Sequence, residues 1–283
     1  MLDSTLESLN FFLTNRVPRA LFTRVMGRLS RIENPLFTRM GIAVWQFFDP
    51  LNFDEAETME YRSLQECFTR RLKHGVRPID SDPAHLVSPC DAVVGAFGAV
   101  QNGLLYQIKG APYGLDELMP AKRQRERFWQ GKYITLRLKS SMYHRFHAPC
   151  DGRVTGVTYI SGDTWNVNPP TLRRIDKLFC KNERAVIEME VGPDREQIAL
   201  VPVAAILVAS MQLNVLQDTL GLNYQGPEYV DCDTCYRKGD ELGYFKQGST
   251  IILFVPEQYE FVAGLQTDEQ IKMGQPIMTR PTH

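Results

Sequence analysis

The sequence predicts an α+β protein: a few short amphipathic helices at the N-terminus, then a β-rich domain of sandwich or barrel-like form. Two patterns carry that expectation. Over residues 5–48 apolar side chains recur at three- and four-residue spacing, with prolines cutting the stretch into pieces. From about Val87 onward, short apolar or alternating runs follow one another, separated by Gly, Pro, Asp and Asn. With 283 residues, 43% of them hydrophobic and 23% charged, the chain can bury a sizeable core in one large or two modest units.

In the first helical region Phe22, Val25, Met26 and Leu29 form one stripe, while Arg24, Arg28 and Arg31 lie off it. Between Asn10 and Met40, Arg16, Arg19, Arg24, Arg28, Arg31 and Arg39 meet a single acid, Glu33. Pro18 and Pro35 divide the region, and Phe37, Trp45, Phe47 and Phe48 extend its aromatic content. Two readings stand side by side. The apolar face packs on the body of the protein, or it lies in a membrane interface with the arginines against anionic headgroups. The acids Asp54, Glu55, Glu57 and Glu60 reverse the charge, and the boundary between an N-terminal segment (1–58) and the main domain (59–283) is placed there. Segment 61–73 is predicted as a further helix, with Leu64, Phe68 and Leu72 on one face and Arg70, Arg71 and Lys73 near its end.

The strands are expected at 133–138, 185–190, 198–209 and 250–255, with helical breaks within 114–129. The crowd of Lys122, Arg123, Arg125 and Arg127 in that break reads as a solvated face rather than an anion site. A formal charge of −1 gives the whole molecule no bulk attraction to nucleic acid. No run of about 18 uncharged apolar residues is present to span a bilayer. Segment 198–210 comes nearest and reads as a buried strand. The first ten residues lack a basic lead and an apolar core, so no signal peptide is expected. The cysteines (Cys67, Cys90, Cys150, Cys180, Cys232 and Cys235) are then read as mostly reduced in a cytosolic setting.

Three places carry chemistry. His144 and His147 flank Arg145 and Phe146 just before Pro149, Asp151 and Gly152, where a strand gives way to a turn. Asp91 follows a turn marked by Pro89, and a carboxylate there is placed to orient a histidine ring. Gly248-Ser249 leads into the apolar run 251–255; glycine leaves its carbonyl open to close approach, and the serine hydroxyl needs a neighbouring base to become nucleophilic. A competing chemistry is zinc: His144, His147 and Cys150 have ligand-like spacing, and Cys232 and Cys235 form a CxxC pair.

These pieces, taken in order, resemble the phosphatidylserine decarboxylase proenzyme family of the bacterial type. The matching stretches are Ser88–Asp91, Gln107–Gly110 with Pro112-Tyr113, Tyr143–Pro149 with Asp151-Gly152, Val167-Asn168, Asn182–Arg184, Lys238–Gly243 and Phe245–Thr250, with Val17–Arg19 and Ser30-Arg31 near the start. They cover roughly residues 60–260, and their ordered set is the specific signal. Ala92 after Asp91, Trp165-Asn166 before Val167-Asn168, the segment 207–215 and the CxxC depart from the family pattern without removing a motif residue.

The resemblance implies self-cleavage between Gly248 and Ser249 by an Asp91–His147–Ser249 constellation. Asp91 would hold the His147 ring, and His147 would activate the Ser249 hydroxyl, the division of labour in a hydrolase triad. The products would be a β chain, 1–248, and an α chain, 249–283, whose first residue becomes a pyruvoyl group. This cofactor, derived from Ser249 and needing no metal, would form a Schiff base with the substrate amine and release CO2 to give phosphatidylethanolamine. His144 would serve the decarboxylation half, in proton transfer. The implied partners are phosphatidylserine and an anionic membrane surface. The implied location is peripheral, on the cytoplasmic face of the inner or plasma membrane. A zinc-dependent hydrolase, a non-catalytic lipid-binding protein and another pyruvoyl-type amino-acid decarboxylase are the alternatives, and oligomeric state is left open.

Overall fold

The structure, a computed structural model, describes residues 19–106, 112–205, 210–221, 223–246 and 249–280. Its helices are short and lie mostly at the start. Helix α1 (Arg19–Leu29) is followed by α2 (Pro35–Phe48), which begins where the Asn34 side chain accepts the Phe37 N–H at 3.0 Å and Pro35 needs no partner for a missing donor. Helix α3 (Leu64–Phe68) is capped by Ser63, which accepts from Glu66 N–H. The predicted helix over 61–73 is therefore cut to a single turn. Thr69 caps it, Leu72 leaves the helical stripe to bridge Ala56, and Arg70 turns its guanidinium to the Cys67 and Ser141 carbonyls.

The domain is built on an eight-stranded antiparallel sheet. Its order is Tyr229–Tyr236, Gly152–Ile160, Arg184–Val191, Glu196–Ala204, Ser249–Val255, Lys132–Leu138, Ala92–Ala99 and Gln270–Ile271. The four runs picked out in the sequence fall on its centre, although 206–209 lie outside the described residues. Ser249–Val255 is the pivotal strand. It pairs in continuous register with Leu138–Lys132 on one side and Ala204–Ala199 on the other, and all seven of its residues are buried.

That strand is an unbroken apolar run because both of its faces are covered. Ile251, Leu253 and Val255 join a core shared with Phe146, Met211, Leu213 and Phe245 of a four-stranded sheet, ordered Thr219–Gly221, Ser210–Leu213, Glu241–Phe245 and Arg145–His147. Ile252 and Phe254 point the other way, into a second core closed by α4 (Leu115–Leu118), α5 (Lys122–Arg127) and the Phe128, Leu172 and Phe179 side chains. The result is the α+β, sandwich-like domain with short N-terminal helices that the sequence predicts. The α5 cations lie largely at the surface as expected, and two of them do more. Arg123 and Arg127 also reach the buried Glu188 at 3.2 and 3.1 Å, joined by Gln124 at 3.0 Å, and so neutralise an interior carboxylate.

Candidate functional site

Three connections leave neighbouring strands of the large sheet at one end and enter strands of the small sheet. Leu138 leads to Arg145, Ala204 to Ser210, and Phe245 to Ser249. Backbone pairing holds their two ends together: Ser249 lies between Leu138 and Ala204, while Tyr244 faces Arg145 and Phe245 faces Met211. The candidate residues Ser249 and His144 both belong to this crossover.

Ser249 opens its strand on the face shared with Ile251, the face turned toward the small sheet. It is fully buried, and its Oγ has no hydrogen-bond partner among the described residues. Gly248 and Gln247 lie outside the described residues.

His144 is also fully buried, its ring set 3.9 Å from that of Phe68 on α3. Its Nδ1 lies 2.8 Å from the Met142 carbonyl, which can only accept, so the proton sits on Nδ1 and Nε2 is bare. Among the described residues no group bonds that Nε2. Burial pushes the ring's pKa down to about 3, with the Arg70 charge adding to the effect, so His144 is neutral at physiological pH.

His147 closes the short strand Arg145–His147. Its Nδ1 donates to the Gly239 carbonyl at 2.8 Å, leaving Nε2 to accept the Tyr143 hydroxyl at 3.1 Å. Burial lowers its pKa as well, partly opposed by the Gly239 bond. Gly239 presents that carbonyl from a left-handed turn (φ 87°), a conformation natural to glycine.

Asp91 is engaged elsewhere. Its Oδ1 accepts from Arg77 Nε at 2.8 Å and from the Met273 N–H at 2.9 Å, and its Oδ2 accepts from Arg77 Nη2 at 2.5 Å. The expected hydrogen bond from Asp91 to His147 is thus replaced. The backbone carbonyl of Gly239 sets the tautomer, and Asp91 reaches His147 through its charge alone. A two-pronged guanidinium is a stronger partner for a carboxylate than a neutral ring, and Arg77 offers one. The Asp91 turn and His147 remain neighbours, since His147 N–H donates to the Pro89 carbonyl at 2.8 Å.

Arg77, the Gly239 carbonyl, Phe68 and the Tyr143 hydroxyl are thus functional-site neighbours that sequence reading left without a role. Other quoted motif residues are scaffolding. The Asn182 side chain ties the Trp165 backbone to the carbonyl of Ala204, the residue paired with Ser249. The zinc constellation does not assemble: among the described residues no three His, Cys, Asp or Glu side chains converge to hold a metal ion. The Cys150 thiol is buried and pushed up to about 12, and Cys232 and Cys235 sit on the edge strand Tyr229–Tyr236.

The sequence profile of a family described as phosphatidylserine decarboxylase matches residues 64–279. Among curated proteins, the phosphatidylserine decarboxylase proenzyme of Brevibacillus brevis is 32% identical over 95% of this chain and 96% of its own. That of Idiomarina loihiensis is 32% identical over 95% of each, and that of Aliivibrio fischeri 32% identical over 96% of this chain and 98% of its own. The fold and this degree of likeness define a carboxy-lyase made as a proenzyme, with a self-derived pyruvoyl group as its cofactor. The chain belongs to the phosphatidylserine decarboxylase family. Ser249 is a buried hydroxyl, without a partner among the described residues, at the head of a strand held from both sides.

Proposed function

We propose that this chain cuts its own backbone between Gly248 and Ser249, and that the pyruvoyl group left on residue 249 decarboxylates phosphatidylserine to phosphatidylethanolamine at a membrane surface. The observation that carries the reading is the Ser249 hydroxyl, buried and unpartnered at the entry of the central strand.

In the processing half, His147 Nε2 takes the Ser249 proton as Oγ attacks the Gly248 carbonyl carbon, and the amide becomes an ester. The Gly239 carbonyl keeps His147 in the tautomer that can accept, and the Asp91 charge favours the imidazolium that forms. Removal of the Ser249 α-proton expels the Gly248 carboxylate and leaves a dehydroalanine, which water converts to the ketone with release of ammonia. In the second half the ketone supplies the electron sink for loss of the substrate carboxylate. His144, neutral with Nε2 bare, is the group for proton transfer at the substrate.

A lipid substrate requires the site to face a bilayer. Among the described residues no helix is long and apolar enough to cross one. Helix α2 instead turns Leu36, Met40, Val44, Phe47 and Phe48 outward, the last two 85% and 78% exposed. Trp45 of the same helix stacks on Phe68 at 5.5 Å, and Phe68 lies against His144. The outward apolar surface is thus two ring contacts from the proposed catalytic histidine, which supports peripheral seating of this face in the headgroup region of the cytoplasmic leaflet.

Intact-mass spectrometry tests the reading. Wild type should give two chains, 1–248 and 249–283, the second beginning in a ketone that reacts with hydrazines, and Ser249→Ala should give one uncut chain. His144→Ala should be cut and inactive. A single intact mass for wild type under all conditions would remove the proposal.

A further inference from the structure

Between α1 and the four-stranded sheet lies a cleft of about 680 Å³ that the steps above do not use. Its wall is cationic: Arg24 and Arg28 of α1, Arg31 just beyond it, and Lys246, with Ser210 and Thr219 among the remaining lining residues. Among the described residues no carboxylate lines it.

Helix α1 is open to solvent on more than one side. Leu21, Val25 and Leu29 are exposed at 60%, 41% and 37%, and Arg24 and Arg28, also exposed, line the cleft. Arg24 and Arg28 have no carboxylate within ion-pair distance among the described residues, and Arg31 bonds only the neutral Gln65 amide oxygen, at 3.1 Å. Lys246, half-buried, spends one proton on the Thr219 hydroxyl at 3.0 Å. Burial and then the Arg31 charge lower its pKa, the mark of a cation lacking a counter-charge. Ser210 Oγ is shut from solvent with no partner among the described residues. Several cations elsewhere are answered by carboxylates, Arg77 by Asp91 and Glu55, Arg145 by Glu241, Arg123 and Arg127 by Glu188. In this cleft no such carboxylate is found among the described residues, so an external anion would meet several cations at once.

Lys246 also bears on where that anion would lie. It is three residues before Ser249, and its backbone N–H is tied to the Ser210 carbonyl at 3.1 Å, so the Lys246 backbone lies within about 11 Å of the Ser249 backbone. The amine and phosphate of a serine headgroup are joined by a short tether that spans a gap of this order once the Lys246 side chain reaches in. Resting on the functional reading above, we propose that the cleft between α1 and Lys246 binds the phosphodiester of the lipid substrate, with Arg28, Arg31 and Lys246 supplying the charge and the Ser210 hydroxyl a further hydrogen bond.

The test uses short-chain phosphatidylserine below its micelle concentration, so that no surface is present. Lys246→Gln and Arg28→Gln should each raise KM at least tenfold while kcat stays within twofold and cleavage on the gel is complete. Lys246→Arg should restore KM, and Lys122→Gln, a charge-matched change on α5, should leave it unmoved. Unchanged KM in both cleft variants would overturn the proposal even if vesicle binding weakens, because that result assigns the arginines to general surface attraction. A second arm needs no catalysis: uncut Ser249→Ala protein should bind glycerophosphoserine, with affinity lost tenfold on adding Lys246→Gln. Absence of that binding while wild type decarboxylates overturns the cleft alone. Binding here without decarboxylation by processed wild type overturns the functional reading alone.

Discussion

The guanidinium of Arg77 clasps Asp91 side-on, Nε to Oδ1 at 2.8 Å and Nη2 to Oδ2 at 2.5 Å, and the same Nη2 meets Glu55 at 2.7 Å. The Arg77 side chain is only 6% exposed, so removing it strands Asp91 against little water, while Glu55 keeps Lys272 at 3.1 Å. Arg77→Met is expected to cost about 3 kcal/mol of stability, read from denaturant unfolding of the Ser249→Ala precursor. Asp91→Asn keeps part of the clasp and should cost less, yet slow self-cleavage at least tenfold. Cleavage at the wild-type rate in Asp91→Asn would confine Asp91 to a structural role.

The Tyr143 hydroxyl occupies the His147 nitrogen that the processing step needs. Tyr143→Phe should therefore cleave at least as fast as wild type; a tenfold slowing would show the hydroxyl to be a working part of the proton path. Because burial holds the His147 pKa below 6.5, the ring stays neutral as pH falls through 6.5. Precursor cleavage followed from pH 8 downward should hold its rate past pH 6.5 and decline only at lower pH.

How much of this was legible beforehand differs by element. The central strands are readable because Ile251–Val255 and Ala185–Ile187 are apolar on both faces, a pattern that survives without knowledge of the partners. Helix 61–73 misleads because Leu72 keeps helical spacing with Leu64 and Phe68 although its backbone has left to bridge Ala56. Ser249, His144 and His147 were within reach through the ordered motifs. The Gly239 carbonyl was not, since a main-chain oxygen carries no residue signature. Arg77 escaped notice as one unremarkable cation fourteen residues from the acid it holds.

Glu183 gives a stability signature. It is buried, its Oε1 accepts the Tyr159 hydroxyl at 2.7 Å, and burial raises its pKa from 4.5 to about 7. Below pH 4.5 folded and unfolded chains are both protonated there. Above it the unfolded chain ionises and the folded one does not, so stability falls until pH passes about 7 and then levels. Glu183→Gln should flatten that slope and stabilise the protein at pH 8 by up to about 3 kcal/mol. An unchanged pH profile in urea unfolding would contradict it.

The membrane face is tested at Phe47 and Phe48, whose rings pack edge-on against each other at 5.3 Å while exposed. Replacing both with Ser should cut recovery on floating anionic vesicles severalfold and leave turnover of monomeric short-chain substrate unchanged. Equal loss on both substrates would place these rings inside the site instead of at the bilayer.

The strand Ser249–Val255 is the fifth of eight in space, though it lies near the end of the chain. Until it slots between Leu138–Lys132 and Ala204–Ala199, the large sheet is two unjoined halves. Assembly must therefore wait until this strand has left the ribosome, and the self-made cofactor arises only afterwards. Chains that stall half-assembled never acquire a reactive ketone, so the yield of that ketone in a preparation is a direct count of the molecules that completed folding.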